Sequence, residues 1–508
     1  MLSKSFRYWP LIASIGLCFQ VSCSHKSPVD QENPSLAEVE IISPSRIDGR
    51  NVLPMVVRIK SQNGEIDVQK TERIQADLSG VSSLNQSISI KRGVGALTMI
   101  PPIAAQETEI SFEGLSGSKK ITISDTIQEK EFSGVINEEL LIWDPSTNYI
   151  ITDDLTIPAT STLIIEKGAR IFLNQKVNVF VRGEISILGE ADDPVLFASK
   201  NSNEPWGGLA IYGEPTFIKY CFFVNGGGDE SRAFGHSNSQ AVLYAENTDV
   251  IVDNGYFLDN PGKAVGTRGS RIALKNTIIT RCDTGGEFVN SLAFLDHSYV
   301  LDIPNDDGAF VDDDNDGLYF SGVPSFTEEP SKVENSVIMT GKDDAIDHNG
   351  ARLEVNNSWL EGFLHEGVAG SNANWVRVYN CVIKNCEQGV EAGYGEPEVF
   401  VDHCVIIEND VGLRVGDSYS HRGSFGKIWA TNTILFNNDD NIRNFDLFVQ
   451  AARDSALDIR HSMTNDSDYD HWPFCITGTP QFNENYFLLD HSPGKGQSDS
   501  GGDMGLKK

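Results

Sequence analysis

The sequence is poor in basic residues for its length. Its 508 residues include 40 Lys and Arg against 72 Asp and Glu, which leaves a formal net charge of −32 at pH 7. A chain of this charge is repelled by nucleic-acid phosphates and by anionic membrane surfaces. We therefore expect no nucleic acid among its partners. With 40% hydrophobic residues, the chain is apolar enough to form two or three packed domains.

Long hydrophobic runs are missing outside the N-terminus, so no transmembrane helix is expected. Near the N-terminus, Lys4 and Arg7 precede an apolar run from Tyr8 to Phe19 that is too short to span a bilayer. This pattern predicts a signal peptide over residues 1–22, and therefore an exported protein.

A small residue precedes Cys23, in a segment that is similar to a bacterial lipobox. The similarity implies that Cys23 is lipidated and anchors the protein to a membrane, at the outer membrane or cell surface. Gln20 stands where such boxes usually carry an aliphatic residue, so secretion without a lipid remains an alternative.

Cysteine is also scarce, with 8 in the chain. Cys18 and Cys23 belong to the N-terminal segment. The repeat described below assigns most of the others to inward positions, where an unpaired Cys packs as a small hydrophobe. We expect packing rather than redox or metal chemistry from the remaining cysteines, which are Cys221, Cys282, Cys381, Cys386, Cys404 and Cys475.

Two segments precede the repeat. Residues 23–37 are rich in Ser, Pro and Asn and predict a flexible tether after the lipidated N-terminus. Residues 38–125 contain short alternating runs, such as VEIIS and MVVRIKS, between turn residues. They predict a small antiparallel β-sandwich, which is similar to an immunoglobulin-like spacer.

A repeat of about 22 residues dominates the rest of the chain. Asn or His recurs at steps of 22, 21, 38, 22, 23, 23 and 29 residues, and a small residue follows each one. Aliphatic residues recur in phase at steps of 28, 22, 22 and 23. The first row is Asn254, Asn276, His297, Asn335, Asn357, Asn380, His403 and Asn432, and the second is Leu318, Ile346, Val368, Val390 and Leu413.

Short stacked strands explain this period better than helices do. The apolar positions alternate over four or five residues and then break at Asn, Gly or Asp. Coils of such strands stack at about 4.8 Å, with like residue upon like. The predicted fold is all-β: a parallel β-helix solenoid over residues 140–485 follows the small N-terminal β-sandwich, and residues 486–508 form a C-terminal closing segment.

Particular segments carry a family resemblance. LTIPATSTLIIEKGARIFL, WGGLAIYG and the closing HSPGKGQSDSGGDMGL resemble the right-handed parallel β-helices of the pectate-lyase-like superfamily. DDDNDGLYFSG and GKDDAIDHNG are more narrowly similar to bacterial surface β-helix domains of unassigned activity. The resemblance implies a right-handed solenoid. We expect the protein to be a monomer.

An acidic insertion separates His297 from Leu318. It contains Asp312, Asp314 and Asp316 followed by Gly317, which reproduces the first half of an EF-hand-like calcium loop. We predict a Ca²⁺ site with these three carboxylates as ligands. A solvated acidic loop is the alternative, because the distal Glu of an EF-hand is missing.

The residues that follow the aliphatic row should point outward, because side chains alternate along a strand. They form a predicted exposed stripe of Tyr319, Asp347, Ala369, Glu391 and Arg414. Acidic groups one or two coils apart would lie roughly 5 to 10 Å apart, a range that includes glycosidase carboxylate pairs. The predicted catalytic residues are Asp344, Asp347, His365, Glu366, Glu391 and Arg414.

Aromatic and polar residues near this stripe are the predicted substrate-binding set, because sugar rings stack on aromatic faces. They are Tyr319, Tyr394, Asp417 and Tyr419. The order of Asp, paired Asp, His and Arg on successive coils is loosely similar to polygalacturonase-type glycosidases. A lyase would instead need a basic residue as the base, for which Lys342 and Arg414 are available.

The sequence leaves two classes of function open. The first is an exported surface lipoprotein that binds an extracellular polysaccharide in a Ca²⁺-supported acidic groove, with hydrolysis or elimination of that polysaccharide as open extensions. The second is a non-enzymatic surface adhesion or structural module.

Overall fold

The computed structural model describes residues 37–79, 86–101, 106–304, 314–416, 423–444 and 454–508. Its regular structure is strand, apart from the short 3₁₀ turns Glu230–Arg232 and Asp454–Ala456. Within these residues there is no helix long and apolar enough to cross a membrane. The predicted signal peptide, Cys23 and nearly all of the tether lie outside the described residues, so they stay predictions.

Eight strands between residues 38 and 124 form two sheets. Their alternating sequences bury every second side chain, as at Ile74, Ala76 and Leu78, which are at most 8% exposed. The three-stranded sheet contains Glu38–Ile42, Leu53–Lys60 and Val94–Met99, and the five-stranded sheet contains, in order, Arg46–Asp48, Ser118–Ser124, Gln106–Phe112, Glu72–Leu78 and Gln86–Ile90.

These two sheets pack against the rest of the protein, so the interpretation as a spacer was wrong. Their apolar residues belong to one buried cluster with Phe222, Tyr256 and Trp359 of the following coils. Arg58 Nη2 donates to Asn254 Oδ1 at 3.0 Å across the same contact. The reason is that several of the following strands are apolar on both faces, so their outer face also needs a cover.

The remaining strands form the predicted parallel β-helix, in which each coil contributes strands to three parallel sheets. The first sheet contains Leu140–Trp143, Thr162–Glu166, Glu184–Leu188, the starts of Thr216–Val224 and Asp249–Asn260, then Arg271–Lys275, Leu292–Asp296, Ser331–Glu334, Arg352–Asn356, Trp375–Tyr379, Glu398–Asp402, Lys427–Thr431 and Leu457–Arg460.

The second sheet contains Gln128–Val135, the start of Thr147–Ile157, Arg170–Leu173, Val195–Ser199, the ends of Thr216–Val224 and Asp249–Asn260, then Ile278–Cys282, Tyr299–Leu301, Val337–Gly341, Trp359–Phe363, Val382–Lys384, Val405–Ile407, Ile434–Phe436 and Met463–Thr464. The helix therefore begins before residue 140, where the sequence predicted its start.

The third sheet carries the residues of greatest interest. It contains the end of Thr147–Ile157, then Val179–Val181, Leu209–Ile211, Ala241–Glu246, Lys263–Arg268, Gly286–Val289, Leu318–Ser321, Ile346–Asn349, Glu366–Ser371, Gln388–Ala392, Val411–Val415 and Asp440–Asn444.

The Asn and His row forms the turn between the first and second sheets. Asn276, His297 and Asn357 have φ values of 50°, 49° and 51°. Asn tolerates this left-handed conformation better than most residues, which is why it recurs there. The small residue that follows supports the turn through its hydroxyl: the backbone N–H groups of Thr277 and Ser298 donate to the next coil's Ser Oγ at 3.2 Å.

Aliphatic side chains and cysteines fill the interior as predicted. The five residues of the aliphatic row are 0% exposed. All six cysteines that the structure describes are unpaired, and five of them are buried. The C-terminal segment lies back along the Asn row, since Gly505 N donates to Asn432 O at 2.7 Å and Lys507 N to Asn380 Oδ1 at 2.6 Å.

Burial of His348 predicts an acid-sensitive fold. Its side chain faces the interior at 0% exposure, with Nε2 2.7 Å from Ala351 O, and burial lowers its pKa to about 4. An unfolded His has a pKa of about 6.5, so the unfolded state takes up the proton first as the pH falls. The free energy of unfolding should therefore decrease between pH 6.5 and 4, by up to about 3 kcal/mol from this group.

We expect the free energy of unfolding of His348→Leu, measured by urea denaturation, to depend less on pH between pH 6.5 and 4 than that of the wild type. His471, whose side chain is 70% exposed, provides the control His471→Leu, which should leave the profile unchanged. An identical pH dependence in wild type and His348→Leu would contradict the assignment.

Candidate functional site

A ladder of carboxyl groups stands at the turn that leads into the third sheet. Asp316, Asp344 and Glu366 occupy equivalent places on successive coils and are at most 6% exposed. Asp344 N donates to Asp316 Oδ1 at 3.4 Å, and Glu366 N donates to Asp344 Oδ1 at 2.9 Å. Gln388 Nε2 continues the ladder by donating to Glu366 Oε1 at 2.7 Å. Each coil thus binds the acidic group of its neighbour.

His365 joins three of these acidic groups. Its Nδ1 lies 3.3 Å from Asp343 and 3.2 Å from Asp344, and it contacts Glu366 as well. Burial lowers the pKa of His365, but the charge of Glu366 and the hydrogen bonds to Asp343 and Asp344 outweigh it and raise the pKa far above its usual value. The ring is therefore an imidazolium that holds the carboxylates together. A protonated ring cannot act as a base, and it can ligate a cation only after losing this proton.

The predicted stripe has the expected register but not the expected exposure. Tyr319 pairs with Asp347, Asp347 with Ala369, and Glu391 with Arg414. Tyr319, Ala369, Glu391 and Arg414 are only 5% to 8% exposed, and Asp347 is half-buried. The stripe is thus the floor of a covered site and not an open surface.

His236 explains part of the cover. Its ring stacks on Tyr319 with the ring centroids 4.5 Å apart and the planes 11° apart. Tyr319 also accepts a hydrogen bond from Asn349 Nδ2 at 2.9 Å. One face of Tyr319 is therefore occupied by His236, and stacking of a sugar on this ring stays a prediction for its other face.

Two groups of side chains could hold a cation. One is His236, Asp316 and Asp347, and the other is Asp343, Asp344 and His365; within each group the ligand atoms lie within 4.8 Å of one another. Within the described residues, Asp316 is grouped with His236 and Asp347, which come from other coils, and not with Asp314 of its own loop. Stacking of successive coils brings the residues of each group together, whereas an EF-hand-like pattern describes ligands from a single loop.

The other two predicted metal ligands have separate outcomes. Asp314 lies 2.9 Å from His236 Nδ1. This contact raises the pKa of His236, against the opposing effect of burial. Asp312 lies outside the described residues.

Two carboxyl groups of this cluster, those of Asp316 and Asp347, resist ionisation without a cation, whereas hydrogen bonds to Glu366 and His365 lower the pKa of Asp344 against the effect of burial. Burial raises the pKa of Asp316 well above its usual range, and the charges of Asp347 and Asp344 raise it further. Burial and Asp344 do the same to Asp347. Buried like charges are unfavourable unless an ion or a proton neutralises them. Because Ca²⁺ prefers carboxylate oxygens, the aspartates of either group, Asp316 with Asp347 or Asp343 with Asp344, fit this ion and would hold it.

Of the remaining predicted site residues, the structure describes Arg414 and Tyr394. Arg414 Nε is buried and has no hydrogen-bond partner among the described residues. Tyr394 is half-buried at the edge of the third sheet, and its carbonyl accepts a hydrogen bond from Asn372 N at 2.7 Å. Asp417 and Tyr419 lie outside the described residues and stay predictions.

The buried ion pair that holds the segment around His236 in place was not identified from the sequence. Lys263 and Glu287 form an ion pair with side chains that are 0% and 1% exposed. Glu287 also accepts a hydrogen bond from His236 N, and Lys263 Nζ donates to Phe234 O. Glu287 pairs in register with Tyr319, so this ion pair continues the stripe by one coil. The one signal of this ion pair in the sequence is Glu287, an acidic residue at the position of the stripe one coil before Tyr319.

Residues 134–233 match the family model described as a pectate-lyase-like β-helix domain. The match confirms the predicted superfamily resemblance on the first coils of the solenoid. It ends before the carboxyl ladder begins. No curated protein sequence matches the chain.

Solved structures with a similar fold include three lyases. The pectate lyase Pel9A has 13% identity over 72% of this chain and 88% of its own, with a TM-score of 0.33. A family 6 alginate lyase has 11% identity over 72% and 54%, with a TM-score of 0.38. A mannuronic-acid-specific family 6 lyase from human gut microbiota has 12% identity over 69% and 91%, with a TM-score of 0.30. At these scores the likenesses carry no argument about activity.

The cluster predicts that Ca²⁺ stabilises the fold. A ligand that binds only the folded state at 100 times its Kd adds about 2.7 kcal/mol, which is a rise of a few degrees in Tm. We expect such a rise in wild type on titration of the EDTA-treated protein, measured by thermal unfolding. Asp344→Asn should abolish the rise, because it removes one charge from the cation-binding group.

The matched control is Asp153→Asn, which changes an exposed carboxylate on a strand of the first coils. It should keep the full response to Ca²⁺. The assignment fails if wild type shows no shift in Tm with Ca²⁺, or if both variants respond alike.

Proposed function

We propose that this protein is an exported surface lipoprotein, anchored through Cys23, whose β-helix binds an acidic polysaccharide at the third sheet. The observation that carries the proposal is the buried carboxyl ladder of Asp316, Asp344 and Glu366, which lies two to four coils before Arg414 along the third sheet. The match to a pectate-lyase-like β-helix domain supports a carbohydrate ligand.

Charge decides how such a ligand is held. The protein carries a net charge of −32, so an acidic chain approaches only where positive charge is fixed in place. Ca²⁺ held by the aspartates of this cluster would supply positive charge to the carboxylate of a uronate. Arg414 supplies a second, permanent charge on the same row, and a guanidinium binds a carboxylate through two parallel hydrogen bonds.

Ala369 lies between these groups. It occupies the outward row between Asp347 and Glu391, where its side chain is short and apolar. A sugar unit seated over Ala369 would have Asp347 on one side and Glu391 with Arg414 on the other. The row thus orients a saccharide along the helix axis.

Cleavage is a second candidate function, favoured by the placement of Asp347 and Glu391. They lie two coils apart, roughly 10 Å by the coil spacing, which is close to the separation of about 6.5 to 9.5 Å in inverting glycosidases. Asp347 cannot serve as an acid while it binds a cation. Hydrolysis by this pair would therefore proceed without Ca²⁺, whereas elimination would need Ca²⁺ and a base from Arg414 or Lys342.

Binding can be measured by affinity electrophoresis in gels containing polygalacturonate, alginate or neutral dextran. We expect retardation by an acidic polysaccharide when Ca²⁺ is present, and none by dextran. Arg414→Gln should weaken binding about tenfold, the effect of losing one charge-assisted hydrogen bond of about 1.4 kcal/mol.

The control is Arg460→Gln, an exposed arginine paired with Asp458 on the first sheet. It should bind as wild type does. If neither polyanion binds in the presence of Ca²⁺, the adhesion or structural alternative replaces the proposal.

The products of the same polysaccharides test the second function. Reducing ends without ultraviolet absorbance indicate hydrolysis, and Glu391→Gln should then remove at least about a hundredfold of the rate, as loss of a general acid or base does. Reducing ends together with the absorbance of unsaturated uronates indicate elimination. Binding without either product would limit the protein to the first function.

A further inference from the structure

A cavity of about 600 Å³ lies between the N-terminal domain and the turn that joins the first and second sheets. Its long wall is the Asn and His row of successive coils, from Asn276 to Asn380. Arg58, Lys60 and Arg92 of the N-terminal domain form the opposite wall. The carboxyl ladder stands at a different turn, the one that leads into the third sheet, so the two sites share no residue.

Positive charge distinguishes this cavity from the rest of the molecule. Its lining contains three permanent cations and one carboxylate, Glu65, in a chain with a net charge of −32. Arg58 and Lys60 share a single carboxylate, Glu40, at 3.6 and 3.1 Å. Such a concentration of positive charge in an acidic protein attracts an anion.

Arg92 is the least neutralised of the three cations. Its guanidinium carbon lies 3.6 Å from the centroid of the Trp359 ring, and its Nε is buried without a hydrogen-bond partner in the described part of the chain. Stacking on Trp359 fixes the plane of the guanidinium, which prepares it for a planar carboxylate or a sulfate.

The opposite wall offers repeated polar groups. Asn276, His297, Asn335 and Asn357 are exposed, and they come from successive coils. Their spacing is about 4.8 Å, set by the stacking of the coils. The amide nitrogens of Asn276 and Asn335 donate to Asp253 and Asp296 at 3.0 and 2.9 Å. A ligand that presents hydroxyl groups at a regular interval would therefore donate to the amide oxygens of this row.

We propose that this cavity binds an acidic oligosaccharide, with its anionic groups on Arg58, Lys60 and Arg92 and its hydroxyl groups on the Asn row. The volume accommodates a short saccharide, within the range of about 300 to 1,000 Å³ for small-ligand sites. This site is independent of Ca²⁺ and of the third sheet. It would give the protein a second point of attachment to an acidic glycan.

The test uses the full mature protein in EDTA, in an Asp344→Asn background that disables the third-sheet site. Trigalacturonate and a heparin-derived trisaccharide are titrated by calorimetry, with maltotriose as the neutral comparison. We expect at least one of the acidic probes to bind, and maltotriose not to bind. The two acidic probes distinguish a carboxylate from a sulfate as the preferred anion.

Lys60→Gln should weaken binding at least fivefold, and Arg58→Gln combined with Lys60→Gln should abolish it. Lys70→Gln is the matched control: it removes a lysine of the same domain that pairs with Glu72 at 3.8 Å and is not part of the cavity. Because Arg58 also contacts Asn254, thermal unfolding checks the double variant, and Lys60→Gln alone carries the test if that variant unfolds.

Any of three results would overturn the proposal. The first is that neither acidic probe binds in EDTA. The second is that binding persists unchanged in Lys60→Gln, and the third is that maltotriose binds equally well. The cavity is tested in EDTA and the third-sheet site in Ca²⁺. A negative result in one experiment therefore does not decide the other proposal.

Discussion

In-register stacking of one coil on the next is the constraint on which the rest of this structure depends. Each strand pairs in parallel with its equivalent on the following coil, so a residue at one place lies about 4.8 Å from its counterpart. For small polar side chains the result is favourable. The turn row supports itself through left-handed Asn residues and the hydroxyls of the next coil, as at Thr277 and Ser298.

The same constraint is costly where the stacked residues are acidic. Asp316, Asp344 and Glu366 lie one above another and are nearly buried, so their charges repel one another in a medium that screens poorly. Backbone N–H groups, Gln388 and the His365 imidazolium offset part of this repulsion. Binding of a divalent cation would offset the remaining repulsion, and carboxylate oxygens are the ligands that such a cation prefers.

The periodic features of this protein could be predicted from sequence, and the features formed by distant segments could not. The Asn row and the aliphatic row can be recognised in the sequence because each coil needs a left-handed turn residue and a buried aliphatic side chain. Both rows occupy the places that the spacing indicates. The register of Asp347 with Ala369 follows from those rows. Periodicity therefore gives the fold and the order of residues along a sheet.

Exposure and ligand sets depend on what lies over a sheet, which periodicity does not contain. His236 stacks on Tyr319 from a segment three coils earlier, and the Lys263–Glu287 pair holds that segment in place. The EF-hand-like pattern suggested ligands from one loop, whereas Asp316 has its neighbours on other coils. The sequence of the N-terminal domain likewise does not reveal that its sheets cover the apolar outer face of the second sheet.

The most direct test of this account is the location of a bound cation in a crystal of the protein grown with Mn²⁺ in place of Ca²⁺. Anomalous scattering from Mn²⁺ identifies the ion without reference to its surroundings. The account predicts a peak among the carboxylates of Asp316, Asp343, Asp344 and Asp347, which should disappear in Asp344→Asn crystals. No peak at this cluster at millimolar Mn²⁺, or a peak that Asp344→Asn leaves unchanged, would contradict it.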